Sequence, residues 1–223
     1  MQLEEGISGR RSIRAFRPDP VPSAVLQELV DQARWAPSAA NTQPWEFTIV
    51  GGERLQTLRE RLRATAAADP IGKPEMVWPA PLPERFKQRR VEVGNATLAA
   101  LGIAAGDKAK KEAWFLFGVG FFDAPQVIVL TMEREFTDLA VLDMGAVSLA
   151  LELLAYGKGL GTCPQAGPLR YPWIFQEVLG IPESNRVMLA LPIGYPVPDA
   201  PVNCFPRSRV PLADILHWSG ITP

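Results

Sequence analysis

Apolar side chains recur three and four residues apart along much of the chain, a spacing that places them on one face of a helix. In the first such stretch Pro22 is followed by Val25, Leu26 and Leu29, and Pro37 ends the pattern. Proline suits the first turn of a helix and stops a helix that precedes it. The same reasoning predicts further helices over residues 55–68, 84–101, 107–117, 136–156 and 172–179.

Three shorter runs are rich in β-branched and apolar residues, which is typical of strands. They cover residues 46–50, 127–131 and 187–195. Pro192 lies inside the third run and cannot donate a hydrogen bond to a neighbouring strand, so we expect that end at an edge or a bulge. Long helices separate these few strands without a repeat or a change in composition. The pattern predicts one α+β domain over residues 1–223.

Two further stretches have distinct patterns. The longest apolar stretch, residues 139–156, contains Asp143 and Glu152, and we interpret it as a buried helix and not as a membrane span. Between residues 70 and 83, five prolines fall in fourteen positions. Prolines at this density exclude regular structure, so the segment is predicted to be an extended excursion across the surface.

Composition narrows the class of protein. With 47% hydrophobic and 21% charged residues, the chain is typical of globular proteins. A net charge of −1 argues against nucleic acid as a partner, because that function needs a basic face. Two cysteines make no disulfide framework, and the first residues lack the basic and apolar layout of a signal peptide. We therefore expect a cytoplasmic location and no membrane partner.

Arginines nevertheless cluster at two distant places in this balanced chain. Arg10, Arg11 and Arg14 surround Ser12, and Arg207-Ser208-Arg209 repeats the theme near the other end. Each guanidinium can donate two parallel hydrogen bonds to a phosphate. If the fold brings both clusters together, they form one anion pocket; the alternative for the first cluster is a solvated basic helix end.

Other catalytic chemistries lack their residues. His217 is the only histidine, and neither a zinc-binding spacing nor a catalytic triad can be built around it. The Gly157-x-Gly159-x-Gly161 run closes a helix and enters a strand, the reverse of a dinucleotide-binding loop. For Cys163, packing explains a small side chain better than a catalytic thiol does, because no base is in sight.

Four segments stand out together, in this order: residues 10–16 (RRSIRAF), 36–47 (APSAANTQPWEF), 159–167 (GLGTCPQAG) and 205–212 (FPRSRVPL). Together they closely resemble the FMN-dependent nitroreductase family. The likeness covers most of the chain and fails mainly in an excursion between about residues 69 and 122. It implies a central mixed or antiparallel sheet flanked by helices, and an intertwined homodimer with FMN at the subunit interface.

The resemblance also implies roles for the arginines. Arg14 is expected near the pyrimidine edge of the flavin, where positive charge stabilises the anionic reduced ring. The groups expected to hold the FMN phosphate by charge and bidentate hydrogen bonds are Arg10, Arg11, Ser12, Arg207 and Arg209.

Two other segments are expected at the cofactor. In the family, the first of them reaches the flavin from the second subunit; it supplies Pro37, Ser38, Ala39, Asn41 and Gln43. The alternative is an ordinary polar turn between a helix and a strand. The second segment presents a backbone N–H to flavin N5; its residues are Pro164, Gln165, Ala166 and Gly167. Many relatives carry a glutamate where Ala166 stands, so their substrate preference does not transfer.

The middle of the chain offers candidates for the substrate pocket. The excursion is expected to form the pocket wall, with candidates Trp78, Pro79, Pro81 and Phe86. Five aromatic side chains could sandwich a flat substrate or, as readily, lie in a core or dimer interface: Trp114, Phe115, Phe117, Phe121 and Phe122.

The expected function is transfer of two electrons from NADH or NADPH, through FMN, to a small aromatic acceptor such as a nitroaromatic or a quinone. Donor and acceptor would share one cavity in turn, as in ping-pong kinetics. One alternative is a relative on the same fold that performs reductive dehalogenation or consumes the flavin. The other is a flavin-carrying or anion-sensing protein without turnover.

Overall fold

Four antiparallel strands form one sheet: β1 (Glu46–Gly51), β2 (Gln126–Glu133), β3 (Gly161–Thr162) and β4 (Asn185–Gly194). Their order in the sheet is β1-β2-β4-β3. The structure is a computed structural model that describes residues 2–76, 81–136 and 138–221. The predicted α+β class is confirmed, and the sheet is antiparallel throughout its described pairs.

The α-helices lie close to the predicted stretches, with two additions that the pattern did not predict. These are α1 (Leu3–Gly9) at the start of the chain and the four-residue α8 (Pro201–Cys204) near its end. The others are α2 (Ser23–Ala33), α3 (Gly52–Ala68), α4 (Glu84–Ala100), α5 (Lys108–Val119), α6 (Asp138–Gly157) and α7 (Pro172–Leu179). The described part of residues 70–83 contains neither helix nor strand, as expected for an extended excursion.

The sheet separates two hydrophobic cores because successive side chains of a strand point to opposite faces. On one face Ile128 and Leu130 of β2 pack with residues of α2 and α6. On the other, Val127 and Val129 pack with residues of α3 and α7. Because both faces are covered, the central strands are apolar throughout and do not alternate with polar residues.

Helix α6 packs in the protein core through one face, as expected of a buried helix, while its other face is exposed in the single chain. Its inner face belongs to the first core and includes the buried carboxylates of Asp143 and Glu152. On the outer face Leu142 is 70% exposed and Leu149 46% exposed. Among the described helices, α6 is the one whose length and apolar composition would suffice to cross a membrane.

The position of Pro192 differs from expectation. Strand β4 lies between β2 and β3, and the register shift in its pairing with β2 falls at Leu130 and Thr131, away from the proline. The Pro192 carbonyl accepts a hydrogen bond from the Cys163 amide, just beyond the end of β3. In an antiparallel strand the N–H and C=O of one residue point to the same neighbour, so an N–H at position 192 would point towards Cys163. Strand β3 ends at Thr162, and the proline ring is accommodated there without the loss of a hydrogen bond to β2.

The segment after α1 lies against β3 because Gly161 has no side chain. The Ile13 amide donates to the Thr162 carbonyl at 2.8 Å, and Ser12 forms a parallel bridge with Thr162. A Cβ atom on Gly161 would lie 2.5 Å from Cγ1 of Ile13. The interpretation of the glycine run as the end of a helix holds for Gly159, which follows α6 with φ +72°. Gly161 instead permits this close approach.

Gly161→Ala is expected to lower the free energy of unfolding by about 1–3 kcal/mol, because buried Ile13 has no room to move aside. Chemical denaturation measures the change. Gly94→Ala in α4, where a Cβ meets nothing within 4 Å, is the matched control and is expected to be neutral or stabilising by up to about 1 kcal/mol. Equal stability of both variants would contradict the close-approach argument.

Candidate functional site

The two arginine clusters meet in the structure, as their pairing in one anion pocket requires. Arg207 donates to the carbonyls of Ser8, at 2.6 Å, and Arg10. Arg11 donates to the carbonyl of Phe205. Both ends of the chain are therefore tied together through guanidinium groups and backbone oxygens.

Asn203 of α8 fixes the position of the segment that carries Arg14. Its buried side-chain oxygen accepts from the amides of Arg14, at 2.8 Å, and Ala15, at 3.2 Å. Its amide nitrogen donates to the Ala15 carbonyl at 2.9 Å. One buried side chain thus satisfies three backbone groups and holds the N-terminal segment beside the residues that precede Arg207.

The arginines line one cavity of about 970 Å³. Two of its walls are the chain segments just described, which supply Arg10, Arg11, Ser12, Arg14, Arg207 and Arg209. The third wall is one face of α4, with Arg85, Gln88, Arg89, Glu92, Val93 and Ala96. Of the wall candidates, Trp78 and Pro79 lie outside the described residues, while Pro81 and Phe86 do not line the cavity directly.

Arg10 is held by a buried carboxylate. Its guanidinium forms an ion pair with Glu152 of α6 at 2.7 Å, so the alternative of a solvated basic helix end does not hold for this residue, although it does follow α1. Burial raises the pKa of Glu152 and the charge of Arg10 opposes that shift. The Nε atom of Arg10 is buried and has no partner among the described residues, so a donor remains for a ligand.

Positive charge in the cavity is incompletely neutralised. Burial lowers the pKa of Arg207, and the neighbouring guanidiniums of Arg11, Arg209 and Arg10 lower it further. Such mutual repulsion is relieved when an anion binds between the cations. The donor set fits a phosphate, which accepts bidentate hydrogen bonds from arginine.

The segment of residues 164–167 offers polar groups for a ring. The Gln165 amide is already used, because it donates to the Ala190 carbonyl at 2.9 Å. The amides of Ala166 and Gly167 donate to no described residue. The side-chain oxygen of Gln165 is buried without a partner. These groups fit a ligand that carries both acceptors and donors, as the flavin of FMN does.

Cys163 behaves as a packed side chain. It is 4% exposed, and burial raises the pKa of its thiol while Arg14 opposes the shift. Because the thiolate and not the thiol is the nucleophile, a raised pKa makes catalysis by this residue unfavourable. The packing interpretation therefore stands.

The loop of residues 37–43 lies away from the cavity in its own chain. Its Ala39 amide donates to the carboxylate of Asp143, at 3.2 and 3.3 Å. Asp143 and Glu152 are nine residues apart on α6, which corresponds to about 13 Å along the helix. Three loop residues have left-handed φ angles, which side chains rarely adopt: Ala40 (50°), Asn41 (58°) and Gln43 (48°). No residue of this loop is among the described residues that line the cavity, and this holds for Pro37 and Ser38 as well.

The aromatic residues of α5 and the following turn are half-buried or buried in the single chain. Trp114, Phe117 and Phe122 pack on one another with ring centroids 5.3 to 5.7 Å apart. Phe121 is fully buried and contacts Phe175, while Phe115 packs against the second core. Burial in the single chain is observed for Phe121 and Phe122, whereas Trp114, Phe115 and Phe117 are half-buried. His217 is exposed, and among the described residues no three His, Cys, Asp or Glu side chains form a group that could hold a metal ion.

Comparison with known proteins assigns the chain and its fold to a class. The model of the nitroreductase family matches residues 7–195. A 4-nitrobenzoate reductase of Pseudomonas putida is 29% identical over 96% of this chain and 94% of its own. The crystal structure of the FMN and NADPH-dependent nitroreductase NfnB from Sphigopyxis sp. strain HMH has a TM-score of 0.95 and 33% identity, covering 99% of this chain and 100% of the other. The FMN-dependent NfnB from Mycobacterium smegmatis, in complex with NADPH, has a TM-score of 0.91 and 30% identity, covering 97% of both. The chain belongs to the nitroreductase family.

Several residues of the site escaped the sequence analysis. Glu152 carried a usable signal, since a carboxylate inside an apolar helix needs a buried partner. Arg85 and Arg89 are spaced by one helical turn, which would have placed them on one face of α4. Asn203 carried none, because three of its four backbone hydrogen bonds reach a segment nearly two hundred residues away.

Proposed function

We propose that the protein is an FMN-dependent oxidoreductase that takes two electrons from NADPH or NADH and passes them to a small aromatic acceptor such as a nitroaromatic or a quinone. The observation that carries this proposal is the cavity in which both arginine clusters meet. Bound FMN supplies the ring that accepts and returns a hydride. Family membership supports the same assignment.

The residues of this chain would bind and orient the cofactor. The phosphate would be held by Arg11, Arg207 and Arg209 together with the Nε group of Arg10. These guanidiniums repel one another, and a dianion bound between them would relieve that repulsion. Arg14 would stabilise negative charge on the reduced ring. The amides of Ala166 and Gly167 are the candidate donors to flavin N5, since the Gln165 amide is already bonded.

The buried oxygen of Gln165 supplies the complementary acceptor. A ribityl hydroxyl or a ring N–H could donate a hydrogen bond to this oxygen. Without such a donor the oxygen is buried without a hydrogen bond, which is energetically unfavourable. No separate nucleotide-binding domain is predicted by the sequence, so donor and acceptor would use the cavity in turn, with ping-pong kinetics.

We further propose a homodimer in which the loop of residues 37–43 completes the cavity of the second subunit. Two observations support this arrangement: the loop lies apart from the cavity of its own chain, and the outer face of α6 exposes leucines. Near this face, a surface hollow of about 600 Å³ is lined by apolar residues that include Leu3, Leu153, Leu154 and the 80% exposed Trp35. Clustered exposed apolar side chains are typical of an interaction site.

The proposed location is the cytoplasm. Its support is that both cysteines are free, Cys163 buried and Cys204 exposed. Exposed free thiols persist in reducing compartments.

The visible spectrum of the purified protein tests the function. We expect a yellow protein whose flavin absorbance is bleached anaerobically by NADPH or NADH and restored by 4-nitrobenzoate, with parallel lines in double-reciprocal plots. A protein that binds FMN and is not reduced by either nicotinamide would instead be a flavin carrier. Turnover of a halogenated phenol in place of 4-nitrobenzoate would favour the dehalogenase alternative.

A further inference from the structure

One face of α4 contributes two arginines to the cavity lining, in addition to those proposed to bind the FMN phosphate. Arg85 and Arg89 are four residues apart and therefore project from the same side of the helix. Both line the cavity, together with Gln88 between them and Glu92 one turn further. They belong to a different element from Arg207 and Arg209, which line the opposite, C-terminal wall.

Neither guanidinium has an anionic partner. Among the described residues, no carboxylate forms an ion pair with Arg85 or Arg89, whereas their neighbour Lys87 pairs with Glu84 at 3.4 Å. The two guanidiniums instead flank the ring of Phe86, at 4.7 and 5.2 Å from its centroid. This contact holds both positive charges beside a partly exposed ring that does not itself line the cavity.

The position of these charges is unfavourable for the helix alone. Arg85 lies in the first turn of α4, where the helix dipole already places positive charge. Arg89 adds a like charge one turn later, which is also destabilising. An anion bound between them would reverse both effects, since it would interact with two guanidiniums and the positive end of the helix. The guanidiniums supply the hydrogen bonds, because the Phe86 and Lys87 amides already donate to the Pro83 carbonyl.

The charge balance of the cavity points to a second anionic group. Seven arginines line it, and Arg10 among them is paired with Glu152. The six others face only the two lining carboxylates of Glu92 and Asp214. One phosphate monoester carries at most two negative charges and would be held by the arginines near residues 10 and 207. Positive charge at α4 then remains unmatched.

We propose that Arg85 and Arg89 bind the 2′-phosphate of NADPH and so make the protein selective for NADPH over NADH. The inference rests on the proposed function, because it assigns the electron donor of the same cavity. The 2′-phosphate is a dianionic monoester, and it matches two guanidiniums and a helix end better than a singly charged carboxylate on the acceptor would. NADH lacks the 2′-phosphate.

Binding to the oxidised, FMN-loaded protein tests the proposal without turnover. Isothermal titration compares adenosine 2′,5′-bisphosphate with 5′-AMP. In Arg85→Gln/Arg89→Gln the affinity for the bisphosphate is expected to fall about 100-fold, at about tenfold for each charge-assisted contact. The affinity for 5′-AMP is expected to change by less than about threefold, through loss of general charge attraction. Arg90→Gln, which removes an exposed arginine of α4 outside the cavity lining, is the matched control and should leave both affinities intact. Arg89→Lys should restore part of the loss, because it keeps the charge.

Steady-state kinetics distinguish the proposal from its alternatives. The double variant should raise the KM for NADPH about 100-fold while FMN content and the kcat with NADPH are retained. Unchanged affinity for the bisphosphate would overturn the proposal. So would an equal loss for 5′-AMP and NADH, which assigns the arginines to a phosphate shared by both nicotinamides. A rise confined to the KM for 4-nitrobenzoate would assign them to the acceptor carboxylate and overturn it too. Failure of the wild-type protein to oxidise either nicotinamide would instead refute the proposed function.

Discussion

Replacing Arg207 and Arg209 together by alanine is expected to release FMN. Each guanidinium lines the cavity, and a hydrogen bond to a charged group contributes about 1.5–3 kcal/mol. Loss of both corresponds to an affinity about 10²–10⁴-fold lower. Purified variant protein should therefore be colourless, and fluorescence titration with FMN measures the remaining affinity. The Arg207→Lys/Arg209→Lys variant should lie in between, because lysine keeps the charge and loses the bidentate geometry.

The control for this experiment must separate cofactor binding from folding, since Arg207 also bonds to the carbonyls of Ser8 and Arg10. Circular dichroism should show intact helices, because the sheet and both cores lie away from these contacts. Arg61→Ala removes an arginine that pairs with Glu177 outside the cavity and should keep FMN. FMN retained by the double alanine variant at near wild-type affinity would contradict the pocket assignment.

Glutamate at both Leu142 and Leu149 is expected to convert a dimer to a monomer and, as a consequence, to abolish FMN binding. Both side chains are exposed on the outer face of α6 in the single chain. In the proposed dimer they are buried against the partner, where an unpaired carboxylate is strongly unfavourable. Cofactor loss follows because each cavity would lack the loop of residues 37–43 from the other subunit. Sedimentation velocity and the flavin spectrum measure the two effects.

Glutamate is compatible with a helix, so α6 itself should persist in this variant. Ile71→Glu places the same charge at a 76% exposed position outside α6 and should leave the dimer and the flavin intact. A wild-type monomer that retains FMN would refute the dimer proposal. So would a Leu142→Glu/Leu149→Glu variant that remains dimeric.

The elements with a buried face could be predicted from the sequence. Strands β2 and β4 are continuous apolar runs because cores cover both sides of the sheet, and α2 shows the spacing of a helix with one buried face. Helix α1 shows no such face: its Leu3 and Ile7 are 61% and 58% exposed. A seven-residue helix without a buried stripe leaves no periodic pattern to detect.

Within the site, only the residues that belong to short sequence motifs could be predicted from the sequence. The meeting of the arginine clusters in one cavity is observed, as an anion pocket shared by both motifs requires. The ion pair of Arg10 with Glu152 depends on where α6 passes, and the wall formed by α4 depends on long-range packing. The outer face of α6 shows the clearest limit: hydrophobicity all round a helix predicts burial, but it does not say whether the chain itself or a second copy provides the cover.

The contacts of Arg207 also determine when the cavity can exist during protein synthesis. The Ser8 carbonyl that accepts its hydrogen bond lies 199 positions earlier in the chain. On the ribosome, every strand and every helix of both cores is therefore made before the residues that close the pocket. A flavin could not serve as a template for the growing polypeptide. It would be captured only after residue 207 has been synthesised.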